Sequence, residues 1–218
     1  LFVDGTSLLV GGNFLRAGGQ PAVGVARWNG SSWSALGAGL GGEVLALARR
    51  NGDLVAGGAF FSSGGIGTPH IARFDGTSWH SMENGMDGIV RALCLFRGDL
   101  VAAGDFTTAG NAVAVGVARW DGTRWTAMRK GMNAPVLALT VFQDRLIAGG
   151  SFTRAGESTV SFLAAWDGNT WGRLVPGQNS LNRTARALAV HDGRLVVAGD
   201  FDQVAGQASL LQADVMVS

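Results

Sequence analysis

The sequence predicts an all-β fold, a β-propeller of five blades of about 46 residues. Each blade is a four-stranded antiparallel sheet, and the last is incomplete. Three observations carry this reading. Aromatic residues recur at a fixed period: Trp33, Trp79, Trp125 and Trp171 stand 46 residues apart. Trp28, Phe74, Trp120 and Trp166 keep the same spacing, as do Phe14, Phe60, Phe106 and Phe152. Short β-prone runs alternate with Asn-Gly and Asp-Gly turns, the strongest local hairpin signal. No segment has helical periodicity, and a period of this length means stacked copies of one small unit.

Each unit divides into four strands. The first is Val44 to Ala48, repeated at Val90 to Cys94, Val136 to Thr140 and Ala185 to Ala189. A turn read as three residues, Asn51-Gly52-Asp53, leads to the second, Leu54 to Gly58. A glycine-rich loop leads to the third, Val25 to Trp28 in the first unit. The turn Asn29 to Ser32, later Asp75 to Ser78, Asp121 to Arg124 and Asp167 to Thr170, leads to the fourth, which opens on Trp33 or its copies. Two hairpins make a sheet that cannot bury both faces alone, so copies must stack, here radially. The chain reads as one domain, 1–218, with units of about 1–46, 47–92, 93–138, 139–187 and 188–218, the last partial. Phe201 falls 49 residues after Phe152, which places three extra residues between Gly177 and Ala185. Gln207 to Ser218 fits a third strand, and no fourth follows.

Composition narrows the function. Charged residues are 15% of the chain and the net charge is +1. No electrostatic attraction to nucleic acid dominates, so none is expected as a partner. Apolar residues make up 47%, enough for a core, and lie in short runs, so no membrane insertion is expected. Tyrosine is absent, which excludes tyrosine nucleophiles and radicals. One cysteine, Cys94, excludes an intrachain disulfide and a cysteine-cluster metal site. His70, His80 and His191 occupy unrelated repeat positions and read as exposed loop or strand-face residues. No metal and no cofactor is expected.

The doublets Gly11-Gly12, Gly57-Gly58 and Gly149-Gly150, followed by an aromatic-Asp/Asn-Gly turn and a Trp, resemble the kelch repeat. The segments Gly104 to Gly110, Gly150 to Gly156 and Ala118 to Trp125 resemble a looser kelch-like class, found in bacterial secreted proteins and in the fungal polarity marker Rax2. The resemblance implies the propeller and an extracellular or cell-surface location. It does not imply one function, because propellers host many.

The aromatic pairs flanking the second turn, Trp28 with Trp33 and its copies, read as cross-strand packing between blades. Arg27, Arg73 and Arg119 read as guanidinium groups stacked on those aromatics. A sharper pattern joins Arg91 with Asp105 and Arg186 with Asp200. The other units carry Leu45 with Ala59 and Leu137 with Ser151, so arginine and aspartate are present together or absent together. The three-residue turn would put each pair directly opposite at the top rim. Asn13, Arg16 and Arg154, in loops that follow the second strands, join these four as candidate binding residues.

Among the loop carboxylates Glu43, Glu83, Asp87 and Glu157 no pairing suggests an acid–base couple, so no catalytic residue is assigned. The expected function is a non-catalytic binding or scaffold module for a protein-interaction or surface-adhesion partner. A lectin with several similar sites between blades is the alternative, and a glycan-active propeller enzyme the third.

Overall fold

A computed structural model describes residues 1–175 and 181–204. Four successive four-stranded antiparallel sheets follow one another along the chain, each in the spatial order first, second, third, fourth strand. The second unit is representative: Gly42–Arg50, Asp53–Phe60, Ile71–Phe74 and Trp79–Ser81. The fifth unit shows the hairpin Ala185–His191 and Arg194–Gly199. Its expected third strand, Gln207 to Ser218, lies outside the described residues. The described residues are β throughout, with no helix long and apolar enough to cross a membrane. Within the glycine-rich loop each of the first four units adds a two-residue hairpin, such as Ser62–Ser63 with Ile66–Gly67.

Strand alternation makes the propeller. Leu54 and Ala56 face the preceding unit, while Val55, between them, faces the next. Among the described residues the core is therefore four clusters, one at each junction between successive units, rather than one central mass. Tryptophan sits in the first three junctions. Trp79, Trp125 and Trp171 are buried and donate their indole N–H groups to Leu36, Met82 and Met128 carbonyls of the preceding unit at 2.9, 3.3 and 3.1 Å. Each also packs on its hairpin partner, with ring centroids 5.0–5.2 Å apart. The cross-strand aromatic pairs are thus as expected.

The first turn is not. Arg50 pairs with Asp53, so the turn has two residues, Asn51 (φ 52°) and Gly52 (φ 90°). Both are left-handed, as a type I′ hairpin requires. A two-residue turn shifts the register by one, and a β-bulge shifts it by one more, so that Glu43 rather than Leu45 stands opposite Ala59 while the expected faces are kept. The pairing jumps between Val44 and Ala46, Val90 and Ala92, Val136 and Ala138, and Ala185 and Ala187. The bulge explains the glycine doublet. A Cβ on Gly58, Gly104, Gly150 or Gly199 would lie 2.0–2.2 Å from the carbonyl oxygen that the bulge pushes inward. The second glycine is therefore kept in these units, while the first gives way to Ala103 and Ala198.

The other turn is stapled by its first residue. Oδ1 of Asn29, Asp75, Asp121 and Asp167 accepts the backbone N–H groups two and three residues on, at 2.7–3.0 Å. Those bonds lower the pKa of all three aspartates, that of Asp121 to about 2, with Thr123 and Arg124 as the main donors.

Candidate functional site

The starts of the first strands and the starts of the loops after the second strands lie together on one face. There the bulge places Arg91, the extra residue, beside Asp105. Arg91 Nε donates to both carboxylate oxygens at 2.8 and 2.9 Å, and Nη2 donates to Oδ2 at 2.6 Å. Arg186 repeats the fork on Asp200 at 2.6 and 2.7 Å. Both pairs form as expected, but the bulge, not the turn length, brings them together. The Asp105 carboxylate raises the Arg91 pKa, and the nearby charge of Glu43, from the preceding unit, adds to it. Arg186 likewise holds the Asp200 carboxyl below its ordinary range.

The remaining candidate residues do not gather around these pairs. Asn13 is exposed. Arg16 donates to the Gly19 carbonyl at 3.1 Å within its own hairpin. Arg154 is exposed, and its backbone N–H, not its side chain, makes a contact between units, to Asn133 Oδ1 at 2.9 Å.

That contact belongs to a latch not recognised in the sequence. Asp87 Oδ1 accepts the Thr107 and Thr108 N–H groups at 2.8 Å, and Oδ2 accepts the Thr107 hydroxyl. Asn133 does the same for Thr153 and Arg154, and Asn182 for Asp202 and Gln203. Burial raises the Asp87 pKa, but the bonds from Thr107 and Thr108 outweigh it and the net shift is downward. The spacing of 46 residues, then 49, was the available signal, hidden because the residue changes from Asp to Asn.

The other loop carboxylates also have partners. Glu83 accepts the Trp125 N–H at 3.0 Å, and Glu157 pairs with Lys130 at 2.8 Å. Lys130 and Glu157, with Arg129, Ser158, Thr170 and the buried Trp171, line a cavity of about 680 Å³ between the third and fourth units. At its edge the Arg129 guanidinium bridges to Asn169. Among the described residues no three His, Cys, Asp or Glu side chains are grouped to hold a metal ion.

Two expectations are corrected. Arg27, Arg73 and Arg119 pair with Asp4, Asp53 and Asp99 rather than stacking on rings. A carboxylate elsewhere in the same sheet outcompetes a ring face for each partly exposed guanidinium. His70 is buried, with φ 64°, and its Nδ1 lies 3.1 Å from the Gly58 carbonyl. His80 lies partly exposed on its strand, as expected, with Nε2 2.7 Å from an Asp75 carboxylate oxygen.

Exposed apolar side chains share the Arg91 face. Leu15 and Phe61 occupy one repeat position, just after Phe14 and Phe60, and are 72% and 65% exposed. Ile66 and Val113, on the small hairpins of the second and third units, are 57% and 77% exposed. The equivalent loops of the fourth and fifth units carry Thr153-Arg154 and Asp202-Gln203 instead.

Among solved structures, the computationally designed protein Ika8 shares 18% identity, with a TM-score of 0.51 over 79% of this chain. The chain spans about half of that protein, 48%. The designed protein Ika4 shares 19% identity over 75% of this chain and 88% of its own, with a TM-score of 0.47. No curated protein matches. Residues 191–210 match a β-propeller domain of unknown function, DUF5122. Residues 45–192, most of the chain, match the Rax2 C-terminal β-propeller domain. With its sheets stacked in order through repeated tryptophan junctions, the chain belongs to the Rax2 C-terminal β-propeller family.

Proposed function

We propose that this propeller is a non-catalytic binding module that takes a protein ligand on the face holding Arg91 and Asp105. The observation that carries the reading is the row of exposed Leu15, Phe61, Ile66 and Val113 on the loops of three successive units. Exposed apolar side chains gathered on one face mark protein contacts, and a rigid β scaffold holds them without ordering cost. The Arg91–Asp105 pair supplies a polar rim beside them. Against an enzyme stands the employment of Glu83, Asp87 and Glu157 in hydrogen bonds that hold loops and units together. The likeness of its repeats to those of secreted proteins supports a cell-surface or extracellular place for such a module.

Selection of a displayed peptide library on the immobilised protein tests this. The expected outcome is a consensus peptide whose binding falls at least tenfold with Phe61→Ser or Leu15→Ser, while thermal stability is unchanged. Selection of no peptide, or binding indifferent to both substitutions, overturns it.

A glycan reading has one observation in its favour, the cavity between Lys130 and Trp171. Its repeat counterpart carries Glu83, Asn84 and Asn111. It therefore offers one site rather than a set of equal ones. A glycan array on the wild type and on Lys130→Ala distinguishes this reading from the first.

A further inference from the structure

We propose that the cavity between the third and fourth units is a site for an acidic saccharide, whose carboxylate takes the place that Glu83 fills one junction earlier. This rests on the glycan reading of that cavity and is independent of a protein ligand on the Arg91 face. Glu83 and Arg129 occupy one repeat position, 46 residues apart, and both have a left-handed backbone, φ 53° and 61°. Their side chains differ in charge and in direction.

In the junction of the second and third units Glu83 turns inward. Its Oε2 accepts the Trp125 N–H at 3.0 Å, and a Cβ on Gly110 would stand 2.0 Å from that oxygen. Trp125 opens the fourth strand, the outer edge of its sheet, and its N–H points away from the third strand. Beside it Asn84 donates to Asn111 at 2.8 Å. In the next junction the equivalent N–H belongs to Trp171, and no side chain among the described residues accepts it. Arg129 is turned instead to Asn169, at the edge of the cavity of about 680 Å³.

The sign of the local charge reverses with that change. The earlier junction carries Glu83, Asn84, Thr108 and Asn111 where the later one has Arg129, Lys130, Arg154 and Glu157. Packing does not require the reversal, because Trp125 and Trp171 are equally buried and make the same bond to the preceding unit. Lys130, and to a lesser degree Arg154, hold the Glu157 carboxyl below its ordinary range. The Lys130 and Glu157 side chains are 75% and 73% exposed, so their pair is weakly held and the ammonium can turn to a second carboxylate.

The ligand class follows from the protein's own example. A carboxylate at the Glu83 position would accept the Trp171 N–H within reach of Arg129 and Lys130, and hydrogen bonds of this charged kind are the strong ones. A cavity of this volume takes more than a carboxyl group. Ser158 and Thr170 border the rest of it with hydroxyl groups, which suit the hydroxyl groups of a sugar ring.

Amide NMR on the full chain, titrated with a tetrasaccharide of glucuronate, tests this. The Trp171 amide is expected to shift and to saturate. A neutral tetrasaccharide of glucose and the methyl ester of the acid are each expected to bind at least tenfold more weakly. Arg129→Glu repeats the Glu83 arrangement, and is expected to weaken the acid at least tenfold with no loss of thermal stability. Lys130→Ala is expected to weaken it in the same way, and decides the matter if Arg129→Glu does not fold. A neutral sugar that binds as tightly overturns the acid specificity but leaves a glycan site. No binding by any of the three overturns both. Binding indifferent to both substitutions overturns the site, as does a glutamate dipeptide that shifts the Trp171 amide where the sugar acid does not.

Discussion

Arg91 meets Asp105 because Arg91 is the extra residue of a β-bulge, and the bulge exists beside a glycine, Gly104, that leaves room for it. Three sequence features thus form one device. The type I′ turn sets a register one residue out, the bulge shifts it by one more and so keeps the expected faces, and the glycine accommodates the Ile89 carbonyl.

Gly104→Ala is expected to destabilise by about 1–3 kcal/mol, the usual cost of forcing a methyl into a filled site. Its Cβ would stand 2.0 Å from the Ile89 carbonyl oxygen. Urea denaturation measures the loss. A neutral result would mean that the bulge carbonyl moves freely.

The Arg91–Asp105 pair is about one-third exposed on the arginine and one-quarter on the aspartate. Solvent screening therefore holds its coupling to about 0.5–1 kcal/mol. In a double-mutant cycle, Arg91→Ala with Asp105→Ala is expected to cost less than the sum of the two single changes. Strict additivity would show that the fork contributes nothing.

Trp125→Phe removes the donor to Met82 and part of a buried ring, and is expected to cost at least about 1 kcal/mol. Trp120→Phe is expected to cost clearly less. Phe74 fills that position in the second unit and Trp120 is half-buried. Thermal melts of the two variants, side by side, check the order.

Thr68 is fully buried, and its hydroxyl has no hydrogen-bond partner among the described residues. The equivalent positions hold Ala22, Ala114 and Val160. Thr68→Val keeps the shape and removes an unsatisfied polar group, so it is expected to stabilise by about 1 kcal/mol. A drop in the urea midpoint would refute this.

Asp75, Asp121 and Asp167 have lowered pKa values in the folded chain, so the folded state binds fewer protons than the unfolded one in that range. Their contribution to stability is complete above the ordinary value of 3.8 and is lost as pH falls toward about 2 for Asp121. Asn29 makes the same turn without a titrating group. Replacing all three aspartates with asparagine is therefore expected to flatten the fall of melting temperature below pH 3.8. An unchanged acid profile would locate the loss elsewhere.

Local chemistry alone determined much of this protein. The period of Trp33, Trp79, Trp125 and Trp171, with Asn-Gly and Asp-Gly turns between alternating strands, specifies a blade whose two faces must be covered by copies of itself. The joint presence of arginine and aspartate at the Arg91 and Asp105 positions was likewise legible, because a cross-strand pair leaves a trace in every repeat. The bulge was not, because backbone register depends on where a carbonyl finds space, and that space is set by a glycine thirteen residues further on. The buried place of His70 and the Asp87 latch were also decided by tertiary structure. Each depends on what a segment distant in sequence brings against it: the Gly58 carbonyl of a strand, or the Thr107 and Thr108 backbone N–H groups of a loop.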